Sequence, residues 1–169
     1  MIRYAQENDL PLMQDIERAA GRMFAAIGMH RVADDPPLAL SVLREHARRH
    51  EAWVWCDAND LPVAYALAVP LDGAMHIEQV SVDPAQSGRG IGRRLIDHIG
   101  KTARRQGIRA LTLTTFTNVP WNGPYYERLG FASIPQSALS PGLAEIRRIE
   151  TARGLDQWPR TCMRRDLDI

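Results

Sequence analysis

Three glycines alternate with other residues in Ser87-Gly88-Arg89-Gly90-Ile91-Gly92, between a β-prone run that ends at Val82 and a helix-prone run that starts at Ile91. Lacking Cβ atoms, the backbone of such a turn can approach a ligand closely. A helix starting there adds unpaired N–H groups and the positive end of its dipole, which suits an anion such as a pyrophosphate. Taken alone, the pattern equally describes a tight strand-to-helix connection in an ordinary α/β protein. Two rival phosphate motifs do not match. A Walker loop needs Lys and then Ser or Thr after its last glycine, and a dinucleotide fingerprint needs GxGxxG. Here the spacing is GxGxG, followed by Arg93-Arg94.

Other reactive side chains carry weaker signals. His46 and His50 are four residues apart, but with no third ligand they read as a solvated helix end, and no metal is expected. The basic stretch over residues 100–109 has no interleaved aromatics and belongs to an amphipathic helix, so no nucleic-acid partner is expected. Trp53, Trp55 and Trp158 read as core or interface residues, whereas Trp121, beside a second motif described below, could wall a binding site.

The elements that must hold the glycine turn are legible in the pattern. A strand over residues 1–5 precedes a helix over 10–26, capped by Asn8 or Asp9, with Leu12, Ile16, Ala19, Met23 and Ala26 as its apolar stripe. Asp34-Asp35-Pro36-Pro37 caps a second helix over 37–50, leaving a loop between Gly28 and Pro36. Residues 52–56 and 61–69 flank Asp57-Ala58-Asn59-Asp60 and read as a hairpin, and 75–82 as the next strand. After the glycine turn, Ile91, Leu95, Ile96, Ile99 and Ala103 mark one face of a helix over 91–105, followed by a strand over 109–115. Strand, helix and strand together form a βαβ-like crossover. A short helix over 121–129, a helical or extended patch over 145–152 and an edge strand over 160–167 complete the chain.

At 169 residues and 45% apolar, the chain is expected to form one domain over residues 1–169 with a sizeable core. A formal net charge of +1 gives no global attraction to nucleic acid or anionic membrane. Two cysteines outside any zinc spacing, and an N-terminus without an apolar leader, fit a reducing cytoplasm. No apolar run approaches the ~18 residues of a membrane span.

A second block, Asn122-Gly123-Pro124-Tyr125-Tyr126-Glu127-Arg128-Leu129-Gly130-Phe131, follows the glycine turn. With both blocks in this order, the chain resembles the GNAT superfamily of acyl-CoA-dependent N-acyltransferases. That family's loop reads Gln/Arg-x-x-Gly-x-Gly/Ala at a strand-to-helix junction, and its later segment reads Tyr-Glu-Lys-Leu-Gly-Phe. Ser87 departs from the first position of the loop. The resemblance spans residues 2–131 and implies an α+β fold, with a central mixed, mostly antiparallel sheet flanked by helices on both faces.

It also implies acetyl-CoA as cosubstrate, held by Ser87, Gly88, Arg89, Gly90, Gly92 and Arg93 together with Val80 and Val82 on the preceding strand. Val80 would present its amide to the thioester oxygen. Asn122 is the candidate for the pantetheine arm, with Asn118 as the alternative. Glu78 is the implied base, acting directly or through water, with His76 in reserve, and Tyr126 is the implied donor to the CoA sulfur, with Tyr125 beside it. The implied reaction is direct transfer to an amine in a ternary complex. A small-molecule amine is the first acceptor expected, a protein N-terminus or lysine the second, and a non-catalytic acyl-CoA sensor the alternative class. A second copy of the chain is a candidate partner. Acceptor specificity would reside in residues 22–35 and 135–159. Met23, Phe24, Met29 and Trp158 there suggest an apolar lining, whereas Arg22, Arg31 and Arg160 could orient an anion.

Overall fold

The computed structural model describes residues 1–168. In chain order the elements are β1 (Ile2–Tyr4), α1 (Leu10–Gly21), α2 (His30–Ala33), α3 (Leu40–Arg48), β2 (Ala52–Cys56), β3 (Pro62–Leu71) and β4 (Ala74–Val82). They continue with α4 (Ile91–Arg105), β5 (Ala110–Phe116), α5 (Gly123–Arg128), β6 (Ala132–Ile134), α6 (Pro141–Ala152) and β7 (Arg160–Asp166). The strands form a sheet in the order β1-β2-β3-β4-β5-β7-β6, antiparallel in the pairs β1/β2, β2/β3, β5/β7 and β6/β7 and parallel between β4 and β5. This is the mixed, mostly antiparallel sheet with helices that the sequence implied.

Two compact units divide the chain. The first is Met1–Ala68 with Gln79–His98, and the second is Val69–Glu78 with the chain from Ile99 onward. In the first unit, Leu10, Met13 and Ile16 of α1 and Leu43 of α3 are buried against Ala52, Val54 and Cys56 of β2 and Tyr65 and Leu67 of β3. Alternation along the strands gives this face, and the spacing of three residues along α1 matches it.

The predicted helix over 10–26 is shorter than expected. The α-helix stops at Gly21, and Arg22–Ile27 winds as a 3₁₀ segment with no buried residue, ended by Gly28 at φ 80°. With i and i+3 eclipsed, the stripe that included Met23 and Ala26 loses the core, and both residues are exposed. Asp9 occupies the N-cap position of α1 as expected, but without a side-chain cap bond. Its carboxylate accepts the Gln6 N–H at 2.7 Å and is held by both terminal nitrogens of Arg3, at 2.7 and 3.1 Å. Asp34 and Asp35 do not cap the second long helix, which starts at Leu40 with Ala39 as N-cap. Pro36 and Pro37 keep the residues before them extended, which delays the helix. α1 instead pins the incoming chain at Leu38, whose carbonyl accepts from Gln14 at 2.9 Å and whose N–H donates to Glu17 at 3.0 Å.

In the second unit, β7 is not the expected edge strand. It pairs with β5 along Ala110↔Asp166 to Phe116↔Arg160 and with β6 on its other side, leaving the three-residue β6 at the edge. The short β6 run is too weakly patterned to announce itself in sequence, so the longer β7 looked terminal. The α6 helix starts earlier than residue 145, at Pro141, with Ser140 as its side-chain cap.

Candidate active site

The glycine turn belongs to the first unit. Gly88 and Gly90 have φ 78° and 72°, values L side chains rarely adopt, and a Cβ at either would meet no protein atom within 4 Å. The conformation, not crowding by the protein, therefore demands glycine here, and the backbone is left open to a ligand. The Gly90 carbonyl accepts the Arg94 N–H at 3.1 Å, so the N–H groups of the first turn of the 15-residue α4 have no partner within the helix. Ser87 turns its hydroxyl inward to the Pro84 carbonyl at 2.8 Å. The hydroxyl is thus bonded within the turn. Arg89 and Arg93 are exposed, with Arg93 3.7 Å from Asp97 one helical turn on. Gly92 is buried inside α4, and Val80 and Val82 are half-buried at the end of β4.

Glu78, Tyr126 and Asn122 belong to the second unit. Glu78 is exposed on β4, whereas His76, two residues earlier, is 3% exposed. His76 Nδ1 lies 2.9 Å from Thr112 Oγ1, in register across the parallel β4/β5 pair. Burial holds the imidazole below its usual range, against the opposing fields of Glu78 and Glu150, so it is neutral at pH 7. Of the candidate base and its reserve, the Glu78 carboxylate is therefore in reach of solvent, while the His76 imidazole is shielded from it. Thr112 was missed by sequence reasoning. Its only signal was a polar residue inside an otherwise apolar β run.

Tyr126 sits on α5, half-buried, with its ring edge-on to Phe131 at 5.8 Å and to Tyr125 at 5.3 Å. Burial, with a smaller contribution from Tyr125, pushes the phenol above its ordinary value, so it stays protonated and able to donate. Asn122 starts α5 without a side-chain cap bond, and its carbonyl accepts the Tyr126 N–H at 2.9 Å. At Gly123 a Cβ would come within 2.4 Å of the Thr117 carbonyl oxygen, so glycine there lets α5 fold back on the end of β5. This tight packing fixes the helix that carries Tyr126, and the Asn-Gly-Pro run was its sequence signal.

Three of the expected acceptor-side residues make contacts within the fold. Arg160 bonds Glu150 through Nε at 3.2 Å and through a terminal nitrogen at 3.0 Å, and its guanidinium lies 4.3 Å from the Phe116 ring centroid. Its guanidinium is thus engaged within the fold by Glu150, Thr114 and Phe116. Met29 is buried at 3% exposure, and the half-buried Trp158 packs edge-on against Phe116 at 6.2 Å.

A family model, the acetyltransferase (GNAT) family, matches residues 13–131. The chain belongs to this family and is an acetyltransferase of its type. It is 30% identical over 129 residues, 75% of its own length and 78% of the relative's, to an IAA acetyltransferase of Azospirillum brasilense. Among solved structures, it is similar to N-acetylglutamate synthase of Neisseria gonorrhoeae complexed with coenzyme A and N-acetyl-glutamate. That likeness has a TM-score of 0.71 and 22% identity, and covers 100% of this chain but only 35% of the synthase. It also resembles the ribosomal-protein-S18-alanine N-acetyltransferase of Escherichia coli, with a TM-score of 0.68 and 16% identity, covering 100% and 94% of the two chains.

Proposed function

We propose that residues 1–169 act as one domain that transfers the acetyl group of acetyl-CoA to the primary amine of a small molecule, by direct attack in a ternary complex. The observation that carries this reading is the turn at Gly88 and Gly90, two left-handed glycines with open Cβ positions at the start of α4. Its backbone amides suit a pyrophosphate, with Arg89 and Arg93 beside them. The family match runs through both compact units, which supports their acting as one. The Azospirillum relative is named for IAA rather than for a protein, which favours a small acceptor. The buried thiols Cys56 and Cys162 suit a reducing cytoplasm.

Acetyl-CoA supplies an activated thioester when bound, and the chain supplies the rest. An alkyl amine of pKa ~10.4 is mostly charged at neutral pH and must lose a proton before attack. Glu78, exposed on β4, takes that proton directly or through a water. The Val80 N–H donates to the oxygen on which negative charge grows. As the carbon–sulfur bond breaks, Tyr126 donates to the departing thiolate, and Asn122 holds the pantetheine arm. The raised pKa of Tyr126 favours stabilisation by a hydrogen bond over full proton transfer.

Thiol release from acetyl-CoA across a panel of primary amines tests this. Turnover is expected with at least one small amine, with kcat about 10²-fold lower in Tyr126→Phe and Glu78→Gln. Gly90→Glu should abolish CoA binding by calorimetry. Tight CoA binding without turnover on any amine, unaffected by the Tyr126 and Glu78 variants, would instead mark a sensor module.

A further inference from the structure

Glu17 is a half-buried carboxylate on α1 that the proposed chemistry does not use. One of its oxygens, Oε2, accepts from the Leu38 N–H at 3.0 Å and from the Tyr65 hydroxyl at 3.2 Å. Tyr65 is fully buried on β3, and its hydroxyl also meets Ser81, whose Oγ accepts from Gln79 Nε2 at 2.8 Å. A chain of neutral polar groups thus runs within the first unit from α1 across β3 to the residues on either side of Val80.

The donors to Glu17 are all neutral. Other shielded carboxylates in the protein are differently supplied: Asp9 holds Arg3, and Glu150 holds Arg147 and Arg160. Arg18, whose field acts on Glu17, is exposed and bonded to Asp15 at 3.0 Å, while Asp35 adds a second negative field. Burying a carboxylate without an ion partner is costly, and here it raises the pKa. Both hydrogen bonds to Glu17 among the described residues go to Oε2, and none reaches the second oxygen, Oε1. Among the described residues, Trp53 Nε1 is the buried side-chain polar atom left without a partner, so Glu17 Oε1 remains in reach of solvent. One oxygen is fixed by the fold and the other is free to meet a cation.

We propose that Glu17 is the specificity residue that receives the acceptor as an ammonium ion, its Oε2 locked by Leu38 and Tyr65 and its Oε1 presented to the charged nitrogen. The inference rests on the reading of the protein as an amine acetyltransferase and narrows its acceptors to those that arrive positively charged. No proton need move at Glu17. It holds the charged form near the strand that carries Val80 until the amine loses its proton.

The test uses the full chain saturated with CoA, with phenethylamine and its uncharged counterpart phenethyl alcohol as probes followed by NMR titration. Wild type is expected to bind the amine at least about fivefold more tightly than the alcohol. Glu17→Gln should lose that preference, because its amide oxygen can still accept from Leu38 and Tyr65 while the charge is gone. In a turnover assay the same variant should raise KM for charged amines about tenfold with little change in kcat. Absence of amine binding to wild type, or a preference that survives Glu17→Gln, overturns the proposal. Thiol release by wild type that falls in Tyr126→Phe would still support acetyl transfer in that case, so the two failures are distinguishable.

Discussion

Two half-buried carboxylates on helices packed against the sheet behave in opposite ways. Glu150 of α6 accepts from Thr114 Oγ1 at 2.7 Å, from Arg147 at 2.8 Å and from Arg160 at 3.0 and 3.2 Å. Arg147 is in turn bonded to Asp156 at 2.5 Å, and Asp156 also accepts from Thr151. Two guanidinium groups outweigh the burial of Glu150 and hold its pKa below the usual carboxylate range. Glu17, supported by an amide and a phenol, is pushed the other way. Burial does not decide the state of a carboxylate by itself: the sign follows from whether the fold supplies a cation. Where it does, the group is committed to holding α6 against β5 and β7. Where it does not, the charge is left for something that arrives from outside.

The same substitution at both sites should separate them most sharply. Glu150→Gln leaves Arg147 and Arg160 facing a neutral amide in a shielded site, and is expected to cost about 3 kcal/mol of unfolding free energy. Glu17→Gln keeps both hydrogen bonds and removes an uncompensated charge, so it is expected to fall within about 1 kcal/mol of wild type. Urea denaturation with two probes checks both. Equal losses at the two positions would break the contrast.

A smaller effect tests the support of Glu17. Tyr65→Phe removes the hydroxyl that links Glu17 to Ser81 and leaves one donor on Oε2. The expected cost is about 1–2 kcal/mol, from lost hydrogen bonds in a buried site. If Glu17 depends on this chain for its placement, the preference for phenethylamine over phenethyl alcohol should weaken in Tyr65→Phe without disappearing. A stability loss with no change in that preference would make Tyr65 a packing residue only.

The contrast between the regions also explains what could be read in the sequence. The glycine turn was legible because its chemistry is local: Gly88 and Gly90 need left-handed φ, and the residues that define the turn are contiguous. Helix α5 was legible for the same reason, since the motif around Tyr126 lies within ten residues. Helix α4 emerged with the predicted bounds because five apolar side chains repeat along one face. The chain from Glu17 to Gln79 was not legible, because it joins α1, β3 and β4 across 62 positions of sequence through single polar atoms. Glu17 in Ile16-Glu17-Arg18 looks like any solvated helical carboxylate. Arg160 is the opposite case. A free arginine near the C-terminus suggested ligand binding, and only the placement of β7 between β5 and β6 shows that Thr114 and Glu150 take it up. The β6 edge was lost because three residues give too short a period to detect.

The least effect in size, but the most diagnostic in sign, is the pH dependence of stability. Glu150 has a folded pKa below its unfolded value of about 4.3. Its contribution is present above about pH 4.3 and is lost as pH falls through the lower folded value. Glu17 has a folded pKa above the unfolded value, so its contribution is present below about pH 4.3 and is lost as pH rises through the raised folded value. Measured against wild type by urea denaturation from about pH 3 to pH 7, Glu150→Gln should therefore be most destabilising at neutral pH and converge on wild type under acid. Glu17→Gln should run the other way, improving relative to wild type as the pH climbs past about 4.3. Because each difference curve isolates one carboxylate, the two slopes should have opposite signs. Curves that slope together would mean that a cation not bonded to Glu17 neutralises it over this range, and the carboxylate would then have no reason to await an ammonium ion.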